Sequence, residues 1–229
     1  MIGIIGAMEV EVENLRSQME NPAAETVSGM EFTRGRLRGQ DVVLAKCGIG
    51  KVFAAACAQT MAIRYGVTAI VNSGVAGTLT SELHIGDVAV SDACVQHDMD
   101  TTAIGDPAGL ISGINIVEIP ADKALAEGLE AACRRTGARV RRGLIASGDQ
   151  FVAGEKRLRI IELFSPAAVE MESGAIAQVA YINGIRFAAL RVISDEADGS
   201  ASVDYPTFVK KAAATSSAIV LSWLENFKG

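Results

Sequence analysis

Two short acidic segments carry the chemistry most open to inspection. Val169-Glu170-Met171-Glu172-Ser173 closes a strand-like apolar stretch ahead of a helical pattern over residues 174–181. Ser194-Asp195 closes the apolar run 187–193, which also contains Arg191. In a parallel α/β sheet, ligands sit at the carboxyl ends of strands, so both acidic ends are expected to converge on one pocket. Several carboxylates buried together are unfavourable unless something uses them. Stabilising a developing cation while supplying a proton is one such use.

Two glycine pairs and one histidine invite other chemistries, and each fails a specific requirement. Gly3-x-x-Gly6 follows a strand, but the dinucleotide fingerprint G-x-G-x-x-G is absent. Gly48-Ile49-Gly50-Lys51 is no phosphate loop, because Ala45 stands where the first glycine belongs and Val52 where a hydroxyl should follow the lysine. Both pairs read as tight strand-to-helix turns, which can still offer backbone N–H groups to a ligand. His97-Asp98-Met99-Asp100 contains ligand types, but the chain has only two histidines and no H-x-x-x-H spacing or cysteine partner. No metal is expected, and the segment reads as a polar loop. Glu11 and Phe151 stay open on residues alone. A glutamate in a first helical turn commonly offsets the dipole and nothing more, and Phe151 suits a core as well as a base-stacking platform.

The elements that must carry these groups alternate from end to end. Periodicity predicts strands over residues 2–5, 32–37, 42–46, 69–72, 87–91 and 140–146. It predicts helices over 9–19, 52–65, 155–163 and 206–227, and another from an Asp122 cap to about residue 135. Val12, Leu15 and Met19 share one face of the first helix. Arg38-Gly39-Gln40-Asp41 reads as a hairpin turn, Gly66 and Gly137 as helix stops, and Pro206 as the opening of the last helix. A glycine-rich loop is expected after residue 72. Residues 102–119 lack periodicity and read as a loop able to reach a neighbour's pocket. No repeat, low-complexity tract or linker divides the chain, so one α/β domain over 1–229 is expected, its sheet made mixed by the early hairpin.

Composition bounds the rest. A chain of 229 residues suits one domain, and 49% hydrophobic residues suffice for a large core and a subunit interface. A net charge of −6 argues against a nucleic-acid partner. The cluster Arg134, Arg135, Arg139, Arg141 and Arg142 spans a helix end, where cations suit the dipole. Cys47, Cys57, Cys94 and Cys133 lack C-x-x-C pairing and read as reduced core thiols. The opening apolar run is too short for a signal peptide, and no window nears the ~20 apolar residues of a membrane span. A cytoplasmic protein with no membrane partner is expected.

Taken in order, six segments resemble one family. They are Gly3-Ile4-Ile5-Gly6-Ala7-Met8 with Glu9 and Glu11, Gly48-Ile49-Gly50-Lys51-Val52, Asn72-Ser73-Gly74-Val75-Ala76-Gly77, Ser147-Gly148-Asp149-Gln150-Phe151, Val169-Glu170-Met171-Glu172, and Arg191-Val192-Ile193-Ser194-Asp195. Together they resemble the 5′-methylthioadenosine/S-adenosylhomocysteine nucleosidases of the nucleoside phosphorylase superfamily. The resemblance implies a single-domain, three-layer α/β fold with a mixed central β-sheet flanked by helices, and no cofactor. It implies hydrolysis of the N-ribosidic bond of 5′-methylthioadenosine, S-adenosylhomocysteine and 5′-deoxyadenosine, serving methionine salvage and recycling of S-adenosylmethionine by-products.

The same resemblance distributes roles. Asp195 stands as general acid toward adenine N7, oriented by Ser194. Glu11 stands as general base for a water attacking C1′, with Arg191 positioning the pair. Glu172 takes the ribose hydroxyls, with Glu170, Met171 and Met8 in the same subsite. Phe151 stacks on adenine, and the Val152 backbone reads its edge. A homodimer is implied, in which Ile49, Thr101 and Ile104 wall the 5′-substituent across the subunit boundary. Two positions depart from the pattern. Val75 stands where a serine is common, and Tyr205 where the aromatic lid is usually phenylalanine.

Cleaving an N-ribosidic bond needs a base that leaves neutral, a tolerated oxocarbenium ion and a nucleophile. A carboxyl that donates a proton near neutral pH needs a raised pKa, and negative charge beneath the sugar answers the second need. A phosphorylase needs arginines for a phosphate dianion. Here Glu11 would repel that dianion and only Arg191 is an obvious partner, so water is the better nucleophile. A non-catalytic binding protein on the same fold is the rival of another class. Loss of Glu11, Glu172 or Asp195 would mark it, and all three are present. The 5′-substituent preference stays open between methylthio, homocysteinyl, deoxy and futalosine-type groups.

Overall fold

A computed structural model of the chain describes residues 1–228, apart from the side chain of Val203. Its elements run β1 (Ile2–Gly6), α1 (Glu9–Ser17), β2 (Glu20–Val27), β3 (Met30–Leu37), β4 (Gln40–Lys46), α2 (Lys51–Tyr65), β5 (Ala69–Thr78) and β6 (Val88–Gln96). They continue with β7 (Glu118–Pro120), α3 (Lys123–Arg135), β8 (Val140–Ser147), α4 (Lys156–Phe164), β9 (Ala168–Glu170), α5 (Ser173–Ile182), β10 (Arg186–Asp195) and α6 (Ala201–Asn226).

β1 lies parallel to β4 on one side and to β5 on the other. Beyond β4 the sheet extends through antiparallel β3 to β2. Beyond β5 it closes on itself. β5 pairs parallel with β10, β10 antiparallel with β6, β6 parallel with β8, and β8 parallel with β9. β9 then returns antiparallel to β5 at Gly77 and Thr78. The mixed sheet expected from the early hairpin is therefore present, and half of it curls into a ring.

Alternate residues of a strand face opposite layers, and β1 shows what each layer holds. Ile4 packs with Val12 and Leu15 of α1 and with Trp223 and Leu224 of α6. Ile5 packs instead with Ala58 and Met61 of α2 and with Ile176 and Ala180 of α5. Gly3 belongs to this packing and not to a turn: a Cβ there would lie 2.7 Å from Met61 Sδ. The expected stripe of Val12, Leu15 and Met19 is buried, and Asp122 caps α3 by accepting from Leu125 N at 2.9 Å. All four cysteines are free and buried.

Three expectations are corrected, and one strand had no expectation behind it. β2, which no pattern announced, is an edge strand with a mostly exposed face. β5 does not stop at Asn72 but runs through the glycine-rich stretch to Thr78, buried throughout; small residues that pass for a loop let two layers and the site close on this strand. α6 begins at Ala201, so Pro206 lies in its second turn instead of opening it. Residues 102–119 do form a loop, with one 3-10 turn at Thr102–Ile104, but it ends in β7. Among the described residues, no helix is long and apolar enough to cross a membrane.

Candidate active site

The carboxyl ends of β1, β5, β9 and β10 open into a cavity of about 340 Å³. Both acidic segments reach it, together with Glu11 from the first turn of α1. Met8 is the N-cap of that helix and Glu11 its third residue, so the glutamate can fold back over the helix start. Its Oε2 accepts from Ala7 N at 2.7 Å and Met8 N at 2.9 Å, and its Oε1 from Val75 N at 3.1 Å. Val75 thus serves the site through its backbone, whatever its side chain lacks. Burial raises the Glu11 pKa, against the Arg191 charge and the three amides. Gly74 permits this crowding. A Cβ there would run into Arg191 Nη1 and lie 2.5 Å from Glu11 Oε1.

Glu172 and Glu170 are neighbours with different surroundings. Glu172 Oε1 accepts from Gly50 N at 2.9 Å, and its Oε2 lies 3.7 Å from Arg191 Nη2. Burial, then the charge of Glu170, pushes its carboxyl up to about 7 against the pull of Arg191. Glu170, grouped with the substrate ligands in the sequence, instead has both oxygens engaged within the protein. They take Arg191 Nη2, Ser147 Oγ, Ser173 Oγ at 2.9 Å and the backbone N–H groups of Glu172 and Ser173. Its carboxylate is the counter-ion of Arg191. That guanidinium is 1% exposed and also donates to Asn72 Oδ1 and to Ser173 Oγ at 3.0 Å. Burial opposes the Arg191 charge, but Glu170, Glu172 and Glu11 outweigh it and raise its pKa further.

Asp195 ends β10 and is buried. Ser194 Oγ donates to its Oδ2 at 2.9 Å, and Ala197 N, aimed by a residue at φ +50°, donates to its Oδ1 at 3.0 Å. Burial outweighs these donors and raises its pKa, the direction a proton donor needs. Nearby, Phe151 is half exposed and meets Tyr205 edge-on, with ring centroids 5.5 Å apart, while Val152 is buried beneath. The Tyr205 hydroxyl donates to Met8 Sδ at 3.0 Å, so its ring spans from Phe151 to the Glu11 end of the cavity. Burial, with Glu11 adding, raises its pKa. Met171 and Ser194 also line the cavity.

The three residues expected across a subunit boundary divide. Ile49 lines the cavity of its own chain. Thr101 donates through Oγ1 to Asp106 Oδ2 at 2.8 Å, and Ile104 is 81% exposed; neither lines this cavity. Sequence reasoning missed Asn72, Ser147 and Ser173, the polar groups that hold Arg191 and Glu170. Each is a small polar residue at the edge of an apolar element, and Asn72, ending the run Ala69-Ile70-Val71, was the most visible signal. Among the described residues, no group of three His, Cys, Asp or Glu side chains could hold a metal.

A ringed mixed sheet with Glu11, Glu170, Glu172 and Asp195 around one cavity defines a class, and the family model for the phosphorylase superfamily matches residues 1–225. A 5′-methylthioadenosine/S-adenosylhomocysteine nucleosidase of Shewanella sediminis is 40% identical over 227 residues, covering 98% of each chain. The crystal structure of such a nucleosidase from Neisseria meningitidis, in complex with methylthio-immucillin-A, superposes with a TM-score of 0.95 at 36% identity over 99% of each chain. Futalosine hydrolase of Helicobacter pylori superposes with a TM-score of 0.94 at 31% identity, covering 99% of this chain and 97% of the other. Within the superfamily, the chain belongs to the 5′-methylthioadenosine/S-adenosylhomocysteine nucleosidase family.

Proposed function

We infer that the protein hydrolyses the N-ribosidic bond of 5′-methylthioadenosine and S-adenosylhomocysteine, releasing adenine and the 5-substituted ribose in methionine salvage. One observation carries this reading: Glu11, Glu172 and Asp195 line one cavity, while the only arginine lining it among the described residues is already neutralised by Glu170. Asp195, its pKa raised by burial in the direction a proton donor needs, donates to adenine N7 so that the base leaves neutral. Negative charge on Glu172 and Glu11 stabilises the cationic sugar. Glu11, aimed by three amides, takes the proton of the attacking water. A phosphate dianion would meet Glu11 with no free guanidinium among the described residues that line the cavity, which supports water as the nucleophile. Phe151 and Tyr205 supply aromatic surface for the purine, and the Val152 segment its polar rim.

The assembly we propose is a homodimer, and the apolar surface supports it. Val52, Phe53 and Ile63 of α2, with Tyr181 and Ile182 of α5, are exposed on two helices that pack together. Ile104 and Thr101 would project from the same protomer to wall the partner's 5′-substituent subsite. A cytoplasmic setting is supported by four unpaired, buried cysteines. Mass spectrometry of products from 5′-methylthioadenosine, S-adenosylhomocysteine, 5′-deoxyadenosine and futalosine tests the activity. Adenine and free 5-methylthioribose are expected from the first; absence of adenine from both thio-nucleosides refutes the assignment.

A further inference from the structure

Two segments with no part in the proton transfers meet at Lys51: the turn 48–51 ahead of α2, which reaches Glu172, and the loop 97–100 after β6. Gly50 takes φ +99°, a conformation that favours glycine and aims its N–H at Glu172 Oε1, 2.9 Å away. The turn is anchored at the next residue. Lys51 N donates to Asp149 Oδ1 at 2.8 Å, and Lys51 Nζ donates to Asp98 Oδ1 at 2.6 Å and to Gln96 Oε1 at 3.2 Å. The other oxygen of Asp98 accepts from Asp149 N at 2.9 Å. One carboxylate therefore ties together both residues that hold the Gly50 turn. The Lys51 and Asp98 side chains are only 18% and 19% exposed, so water screens their ion pair weakly. Burial works against the Asp98 charge, but Lys51 and the Asp149 amide prevail and hold its carboxyl below the usual range.

We propose that Asp98 is a positioning residue for Glu172, fixing through Lys51 and Asp149 the turn whose Gly50 amide sets that carboxylate's orientation. It touches no substrate. The consequence for the reaction rests on the reading of Glu172 as the ribose ligand; the consequence for Glu172 itself does not.

The groups that face Glu172 are Glu170 from β9, Arg191 from β10, Glu11 from α1, the Cys47 thiol after β4 and the Tyr205 hydroxyl from α6. Removing the negative charge of Asp98 would, through space alone, make Glu172 easier to ionise. Releasing the Gly50 amide does the opposite. The sign of the change thus separates positioning from simple electrostatics.

The test is a carbon-13 carboxyl titration of Glu172 in ligand-free wild type, Asp98→Ala and Asp98→Asn, the resonance being identified by its loss in Glu172→Gln. The midpoint is expected to rise by about one pH unit in Asp98→Ala, the scale set by loss of a hydrogen bond to a charged group. A smaller rise is expected in Asp98→Asn, which keeps the shape and one acceptor should the alanine variant fold poorly. An unchanged or lowered midpoint in the folded variants overturns the proposal. In turnover, KM for 5′-methylthioadenosine should rise roughly tenfold while inhibition by free adenine stays the same; equal weakening of both contradicts a role confined to the sugar. If the wild type releases no adenine, the nucleosidase reading falls and the titration still decides the positioning claim.

Discussion

Replacing Glu172 by glutamine should make the ligand-free protein more stable while disabling it. Glu172 is 4% exposed, and its carboxyl is pushed from 4.5 to about 7. A pKa raised on folding means that the folded protein holds the proton more tightly than the unfolded chain. The associated stability is fully present below pH 4.5 and is lost as pH rises through 7. Over that span the loss amounts to about 3 kcal/mol. Glutamine has no proton to lose, and its carbonyl can still accept from Gly50 N. Glu172→Gln should therefore gain about 3 kcal/mol over wild type at pH 8, about half of that at pH 6 and almost nothing at pH 4. Asp195, also raised by burial, slopes in the same direction but is common to both proteins and cancels in the difference, whereas Glu11 faces Glu172 and titrates together with it. Urea unfolding of both proteins across this pH range, at one fixed protomer concentration, reads the effect. A variant no more stable than wild type at pH 8, or a difference that does not shrink toward acid, refutes the reasoning.

Asp195→Asn should fold normally and lose ~10²–10⁴-fold in kcat, since an amide cannot protonate adenine N7 with the same driving force; near-wild-type turnover removes Asp195 from the mechanism. Gly74→Ala places a methyl group against Arg191 Nη1 and Glu11. It should destabilise the protein by roughly 1–3 kcal/mol and lower kcat, as melting and kinetics on the same sample will show. Ile104→Asp puts a charge on the residue proposed to reach the partner, so it should weaken 5′-thio substrates far more than adenosine. Equal effects on both, or a fully active monomer by light scattering, would count against the shared pocket.

Much of the fold was legible because amphipathic periods survive where one face is buried. α1, with Val12 and Leu15 inward, and α3, with its Asp122 cap, follow the pattern closely. β5 resisted because its glycines and alanines serve close approach: Gly74 makes room for Glu11 and Arg191, and Gly77 for Asp195, all contacts distant in sequence. β2 resisted because an edge strand lacking a buried face carries no alternation. The acidic pocket was visible as charge at the ends of apolar runs. What its members do to one another was not. Glu170 and Glu172 are two residues apart and chemically alike, yet one neutralises Arg191 and the other is left with a raised pKa. The pairing of β8 with β9 sets Ser147 beside Glu170, while Glu172 lies past the strand end and meets the Gly50 amide.

As proposed, Glu11 activates water in a site closed to phosphate. Adenine release from 5′-methylthioadenosine, followed in phosphate-free buffer and across rising phosphate, distinguishes water from phosphate as the nucleophile. Full turnover is expected without phosphate, at a rate that phosphate does not increase, with free 5-methylthioribose throughout. A rate that vanishes without phosphate, with a sugar 1-phosphate as the product, would make phosphate the nucleophile instead.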